Sequence, residues 1–241
     1  EFVEQALKDW KVPGLALGIV VDGEVVLAKG YGKRNLEKDQ PVTSKTLFAI
    51  GSSTKAFTSF ALGTQVDEGK LEWDKPVINY LPAFRLHDDY ATTHMTPRDL
   101  VTHRSGLPRH DLAWYNNSTI TRAEMVARLP YYLPNEDLRE KFQYNNMMFL
   151  AAGFLVGELD HRSWEDSIRA RILTPLEMNS TNFSVDDSQK AADFAWPYEH
   201  KDDEVRAMKF RNIDNVGPAG SINSNVEDMT KWRMVQLGKG M

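Results

Sequence analysis

Apolar and polar positions follow two regimes along the chain. Residues 2–10 carry apolar side chains at helical spacing, from Phe2-Val3 to Leu7 and Trp10. Residues 15–21 and 24–29 are strand-like runs on either side of Asp22-Gly23, a pair suited to a two-residue hairpin turn. Beyond them the helical period takes over. It is clearest over residues 56–66 and over residues 147–159, where the run is almost wholly apolar and reads as a buried helix. Thr96-Pro97-x-Asp99, Thr121-x-x-Glu124, Ser163-x-x-Asp166 and Ser224-x-x-Glu227 each set a capping residue three positions before an acid, which marks helix starts. Pro76, Pro82, Pro108, Pro130 and Pro134 punctuate this helical part, and residues 179–220 are long and weakly periodic. The expected fold class is therefore α/β (α+β), a small antiparallel sheet region beside a mainly helical region, with no internal repeat.

Composition adds bounds. Hydrophobic residues make up 41% of the chain, enough for a sizeable core, and no apolar stretch is long enough to span a bilayer. The net charge of -5 and the lack of a Lys/Arg run argue against nucleic acid as a partner. Cysteine is absent, so neither a disulfide framework nor a thiol nucleophile is available. His87, His94, His103, His110, His161 and His200 are scattered without a compact ligand spacing, and no metal or cofactor is expected.

The chemistry concentrates at Ser52-Ser53-Thr54-Lys55. Residues i and i+3 are neighbours on a helix, so the Ser52 hydroxyl and the Lys55 amine can meet while Ser53 points elsewhere. A serine hydroxyl is a poor nucleophile without a base, and an ordinary lysine is protonated near neutral pH. Burial among Phe48, Ile50, Phe57 and Phe60, and the positive end of the helix, both favour neutral Lys55. The motif alone also fits a capping serine beside a surface lysine. A second feature is Gln143-Tyr144-Asn145-Asn146, which directly precedes the apolar run and would be rigidly supported by it. Taken singly, Tyr144 fits a core tyrosine and Asn146 fits a helix N-cap.

These two motifs resemble the serine beta-lactamase and penicillin-binding-protein superfamily, in its branch of class C beta-lactamases, D-peptidases and related esterases. Val12-Pro13-Gly14-Leu15-Ala16, Gly30-Tyr31-Gly32, the segment from Phe48 to Thr58, the string DLVTHRSGLP from Asp99 to Pro108, and Pro218-Ala219-Gly220-Ser221 carry the same likeness. The resemblance implies a beta-lactamase/transpeptidase-like fold. It implies one serine hydrolase domain over residues 1–241: an N-terminal helix and hairpin (1–45), a mainly helical region bearing the nucleophile helix (46–220), and a return helix (221–241). The nucleophile helix is expected at the junction of the sheet and helical regions. The resemblance also implies catalysis through an acyl-enzyme, with Ser52 as nucleophile, Lys55 as base, Tyr144 as proton relay and Asn146 orienting Lys55 and the substrate carbonyl. His103, in Thr102-His103-Arg104-Ser105-Gly106, is by the same resemblance a structural turn and not a catalytic histidine.

One part of the superfamily's pattern is missing. A Lys-Thr-Gly or His-x-Gly strand normally follows Pro-Ala-Gly by several tens of residues, and neither string occurs. Gly238-Lys239-Gly240 follows a helical pattern and does not take its place. In the superfamily that strand supplies one of two oxyanion donors, the other being the backbone N–H of the nucleophile, here Ser52. Losing one such donor typically costs about a hundredfold to a thousandfold. The sheet is accordingly expected to be incomplete, with the remaining strands in residues beyond these. The sequence opens in a helical pattern without a charged n-region and apolar h-region, so any signal peptide is expected to have been removed or never to have existed, and the resemblance points to a bacterial periplasmic or extracellular protein. The expected substrate is an ester, a D-amino-acid peptide or a related amide. The alternatives are a module that binds a beta-lactam or peptide without turnover, or an incomplete part of a larger hydrolase. Residues 105–120 and 186–216, with Trp114, Tyr115, Trp196 and Tyr198, are candidate rims of the substrate site.

Overall fold

The structure, a computed structural model, describes residues 1–117 and 119–238. The helices in chain order are α1 (Phe2–Asp9), α2 (Thr54–Asp67), α3 (Asp89–His94), α4 (Pro97–Val101), α5 (Arg122–Ala127), α6 (Asn146–Asp160), α7 (Trp164–Ile168), α8 (Val185–Ser188) and α9 (Val226–Leu237). The strands are β1 (Gly14–Val21), β2 (Glu24–Asn35), β3 (Gln40–Pro41), β4 (Phe48–Ala49), β5 (Tyr198–Lys201), β6 (Glu204–Ala207) and β7 (Asn223–Ser224). The chain forms two compact units, one of residues 1–50, 173–212 and 222–238, the other of residues 51–172 and 213–221.

The first unit is built on the expected hairpin. β1 and β2 pair antiparallel around Asp22-Gly23, both in the left-handed region, and β3 extends the sheet in the order β1-β2-β3. Helix α9 packs on β1 and β2. The strands exceed the expectation in several places, the short β3, β4 and β7 among them. β2 continues past Lys29 to Asn35, through Gly30 and Gly32, whose poor strand propensity hides the extension. A second hairpin, β5–β6, turns at Asp202-Asp203, both at positive φ, within a segment too polar to show alternation. Trp196 and Tyr198 anchor this segment: Trp196 stacks near Phe194 and Phe210, and the Tyr198 hydroxyl donates to Glu37 and accepts from the Leu36 N–H.

The second unit is organised around α6. Its N-terminal turns are buried on all sides, from Met147 through Ala152, and α2, α4, α5, α7 and residues 214–219 surround it. Gly153 lets the Pro218 ring lie directly on the α6 backbone, where any Cβ would collide with that ring. Thr58 of α2 donates to the Pro218 carbonyl, Trp164 donates to Thr58, and Gln65 donates to the Val156 carbonyl, so α2, α6 and the 214–219 segment are mutually pinned. At their far end Arg171 binds Asp160 and Glu68 together.

Three of the four capping signals hold as written. Thr96 and Thr121 form reciprocal capping boxes with Asp99 and Glu124, and Ser163 caps through the Asp166 N–H. The fourth shifts by one residue. Asn225, not Ser224, caps α9 by accepting from the Asp228 N–H, because Ser224 is held in β7 opposite Phe48. Lys239 and Gly240 of the Gly-Lys-Gly string lie outside the described residues.

Candidate active site

Ser52, Lys55, Tyr144 and Asn146 all lie in the second unit, and the structure brings all four together. Gly51, at φ +51°, makes the left-handed step that begins a tight turn over Gly51–Ser53, and α2 continues directly from it. Ser52 is thus exposed on the turn, while Lys55, one residue into the helix, is buried. The Lys55 Nζ donates to Ser52 Oγ at 3.1 Å, as the i, i+3 spacing requires.

Tyr144 and Asn146 arrive from the start of α6. The N-cap of that helix is Asn145, whose side chain accepts from the Met148 N–H at 3.0 Å. Asn146 is therefore not the cap that its isolated sequence context suggests. It occupies the first helical position, and its Oδ1 accepts from Lys55 Nζ at 2.8 Å. The third acceptor on Nζ is the Ala219 carbonyl at 2.6 Å, presented by the segment that Pro218 anchors against Gly153. Tyr144 Oη lies 2.5 Å from Ser52 Oγ.

The electrostatics follow from burial. Desolvation pushes the Lys55 amine below its ordinary range, aided by the Arg109 guanidinium and opposed by Tyr144 and Asp111. Burial raises the Tyr144 phenol, but hydrogen bonds with Lys55 and Ser52 and the nearby Lys55 and Arg109 charges outweigh it and bring it down. The rings close to Nζ are Tyr144, at 4.8 Å, and Phe149, at 5.3 Å. The apolar wall of Phe48, Ile50, Phe57 and Phe60 expected from sequence left out these two partners.

Three further residues complete the setting. His103, at φ +58°, stacks on Tyr144 with ring centroids 4.4 Å apart, and its Nδ1 accepts from the Asn145 N–H at 3.1 Å. It supports the tyrosine and touches neither Ser52 nor Lys55 through a hydrogen bond. Arg109 sets its guanidinium 4.9 Å from the centre of the Tyr144 ring. Asp111 accepts from Arg109 Nε at 2.7 Å, Trp114 Nε1 at 3.2 Å and Asn146 Nδ2 at 3.3 Å. The loop bearing Arg109 is held by Asn145, which donates to the Pro108 carbonyl at 2.7 Å. Arg109 and Asp111 fall inside the 105–120 segment flagged in the sequence, but no periodicity or motif singles them out. Among the described residues no cluster of His, Asp and Glu is arranged to hold a metal ion, and no helix is long and apolar enough to cross a membrane.

Known proteins resemble this chain in sequence and in fold. An unguisins hydrolase, ungD', of Aspergillus campestris (strain IBT 28561) is 33% identical over 248 residues, covering 98% of this chain and 46% of its own. Protein flp of Staphylococcus aureus (strain MRSA252) is 27% identical, covering 98% of this chain and 47% of its own. The chain thus spans about half the length of the curated relatives it matches. The octameric penicillin-binding protein homologue from Pyrococcus abyssi superposes with a TM-score of 0.87 at 29% identity, over 100% of this chain and 56% of that one. The fold is accordingly beta-lactamase/transpeptidase-like, mixing helices with small antiparallel sheets. The family model described as Beta-lactamase matches residues 1–240, and the chain belongs to that family.

Proposed function

We propose that the chain carries the chemistry of a serine hydrolase acting by acyl transfer on an ester, a D-amino-acid peptide or a related amide. One observation carries this reading: the exposed Ser52 hydroxyl lies within hydrogen-bonding distance of both a buried lysine and a tyrosine whose pKa values are each lowered. Ser52 Oγ attacks the carbonyl carbon and its proton passes to neutral Lys55. The tetrahedral adduct then collapses, breaking the bond to the leaving group, which takes a proton through Tyr144 Oη. Water attacks the resulting ester with the same groups running in reverse. Asn146 holds the Lys55 amine and orients the substrate carbonyl, and the Ser52 backbone N–H is one donor to the oxyanion. A relative named for hydrolysis of unguisins supports hydrolytic chemistry. Hydrolysis of beta-lactams is a narrower claim, because the same three groups serve esterases and peptidases. An exported bacterial setting rests on the superfamily resemblance alone.

A second reading is a module that acylates or binds without turning over. The two separate in a time course with a chromogenic ester and a D-amino-acid anilide. Repeated turnover that Ser52→Ala abolishes supports the hydrolase, a single stoichiometric burst supports the binding module, and turnover unaffected by Ser52→Ala contradicts both.

A further inference from the structure

We propose that Asp111 is a positioning residue of this site, its carboxylate fixing the Asn146 amide and the Arg109 guanidinium so that Lys55 meets an acceptor and Tyr144 a cation. The proposal rests on the Ser52–Lys55–Tyr144 chemistry proposed above and adds the group that orients it.

An ion pair between Arg109 and Asp111 two residues apart, partly exposed, would by itself contribute little. The geometry asks more of this carboxylate. Its three donors come from its own loop (Arg109), the following turn (Trp114) and the first residue of α6 (Asn146). The contact with Asn146 matters because the two ends of an amide are chemically opposite. A carboxylate only accepts, and Lys55 offers Asn146 an N–H both as an ammonium and as a neutral amine whose lone pair faces the Ser52 hydroxyl, so Asn146 wedged between Asp111 and Lys55 has one favourable orientation. With Nδ2 toward Asp111 and Oδ1 toward Lys55 both contacts are bonds. A flipped amide would set oxygen against oxygen and N–H against N–H. The Arg109 arm acts in parallel. Asp111 ties Nε, and the guanidinium is left over the Tyr144 ring. The charged and titratable groups around Lys55 are then Tyr144, Arg109, Asp111 and, behind Tyr144, His103. Arg109 and Asp111 bear on the lysine in opposite senses.

The test is the rate of fluorophosphonate adduct formation at Ser52, followed by intact mass across the neutral and alkaline range. The proteins are the wild type, Lys55→Ala, Arg109→Ala, Asp111→Ala and the double variant Arg109→Ala/Asp111→Asn. Arg109→Ala is expected to move the midpoint of the rate profile to higher pH, by removing a cation from beside Lys55 and Tyr144. Adding Asp111→Asn, which keeps an acceptor for Asn146 but removes the charge, should bring it back down. Asp111→Ala, which frees the amide, should lower the plateau rate about tenfold to a hundredfold, as loss of positioning does. Midpoints of Arg109→Ala and of the double variant that stay at the wild-type value, or an Asp111→Ala plateau equal to that of the wild type, would overturn the proposal. If those midpoints stay fixed while the wild-type adduct depends on Lys55, this inference alone fails. A folded wild type that forms no Lys55-dependent adduct overturns the underlying reading and this inference with it.

Discussion

Lys55 Nζ and Asn146 Oδ1 are 2.8 Å apart although the residues are 91 positions apart in sequence, and this bond joins the first turn of α2 to the first turn of α6. The adjacent Asn145 has a different task, capping α6 and holding the Pro108 loop. The two asparagines should therefore separate by readout. Asn145→Ala is expected to cost about 1–2 kcal/mol in a denaturant melt, as lost caps do. Asn146→Ala is expected to lower the acylation rate about tenfold or more, as catalytic mispositioning does, with a smaller change in the melt.

Lys55 is expected to act as a base only when neutral. Its pKa is pushed below the ordinary 10.5, chiefly by burial. The acylation rate should rise with pH and reach its plateau below that value. Lys55→Arg keeps the charge but cannot lose a proton, so it should depress acylation at least about a hundredfold across the profile. A profile unchanged in Lys55→Arg would rule the lysine out as base.

His103 is buried, and burial first, with the Lys55 and Arg109 charges behind it, holds its pKa below the usual imidazole value. A group whose folded pKa is lowered contributes stability above its unfolded pKa and loses it as pH falls through the folded value. Protonation would remove the acceptor for the Asn145 N–H and add a cation beside Tyr144. His103→Phe keeps a ring against Tyr144 but strands that N–H, at a cost of about 1–3 kcal/mol. The variant should melt earlier at neutral pH and lose the wild type's extra sensitivity to mild acid.

Glu68 is held down to about 2 by hydrogen bonds from Arg171 and then Lys70, against an ordinary 4.5. Its contribution is present above that ordinary value and is lost as pH falls toward the lowered one. Because the carboxylate is well exposed, salt should weaken the effect. Thermal melts from neutral to acid pH should show Glu68→Gln closing the gap with the wild type as pH drops. A constant gap would contradict the assignment.

What the sequence could show was local. The Ser52–Lys55 contact is one helical turn and needs no tertiary knowledge. Tyr144 stands out because the almost wholly apolar run after it has to be buried. The adjacent asparagines could not be ranked as caps, since both suit an N-cap and a frame shift of one decides which points at Lys55. Arg109, Asp111 and the stacking of His103 on Tyr144 reach the site through loops, which carry no period to detect. The β5–β6 hairpin was hidden for another reason: Glu199, His200 and Lys201 are exposed, and alternation is visible only where one face is buried.

The central claim is that Ser52 is an activated nucleophile. Incubation with a fluorophosphonate or a labelled penicillin, followed by intact mass and peptide mapping, tests it directly, with circular dichroism to show that each sample is folded. The account predicts one adduct, on Ser52, abolished by Ser52→Ala and by Lys55→Ala. A folded protein that takes no label, or takes it on another residue, would contradict it.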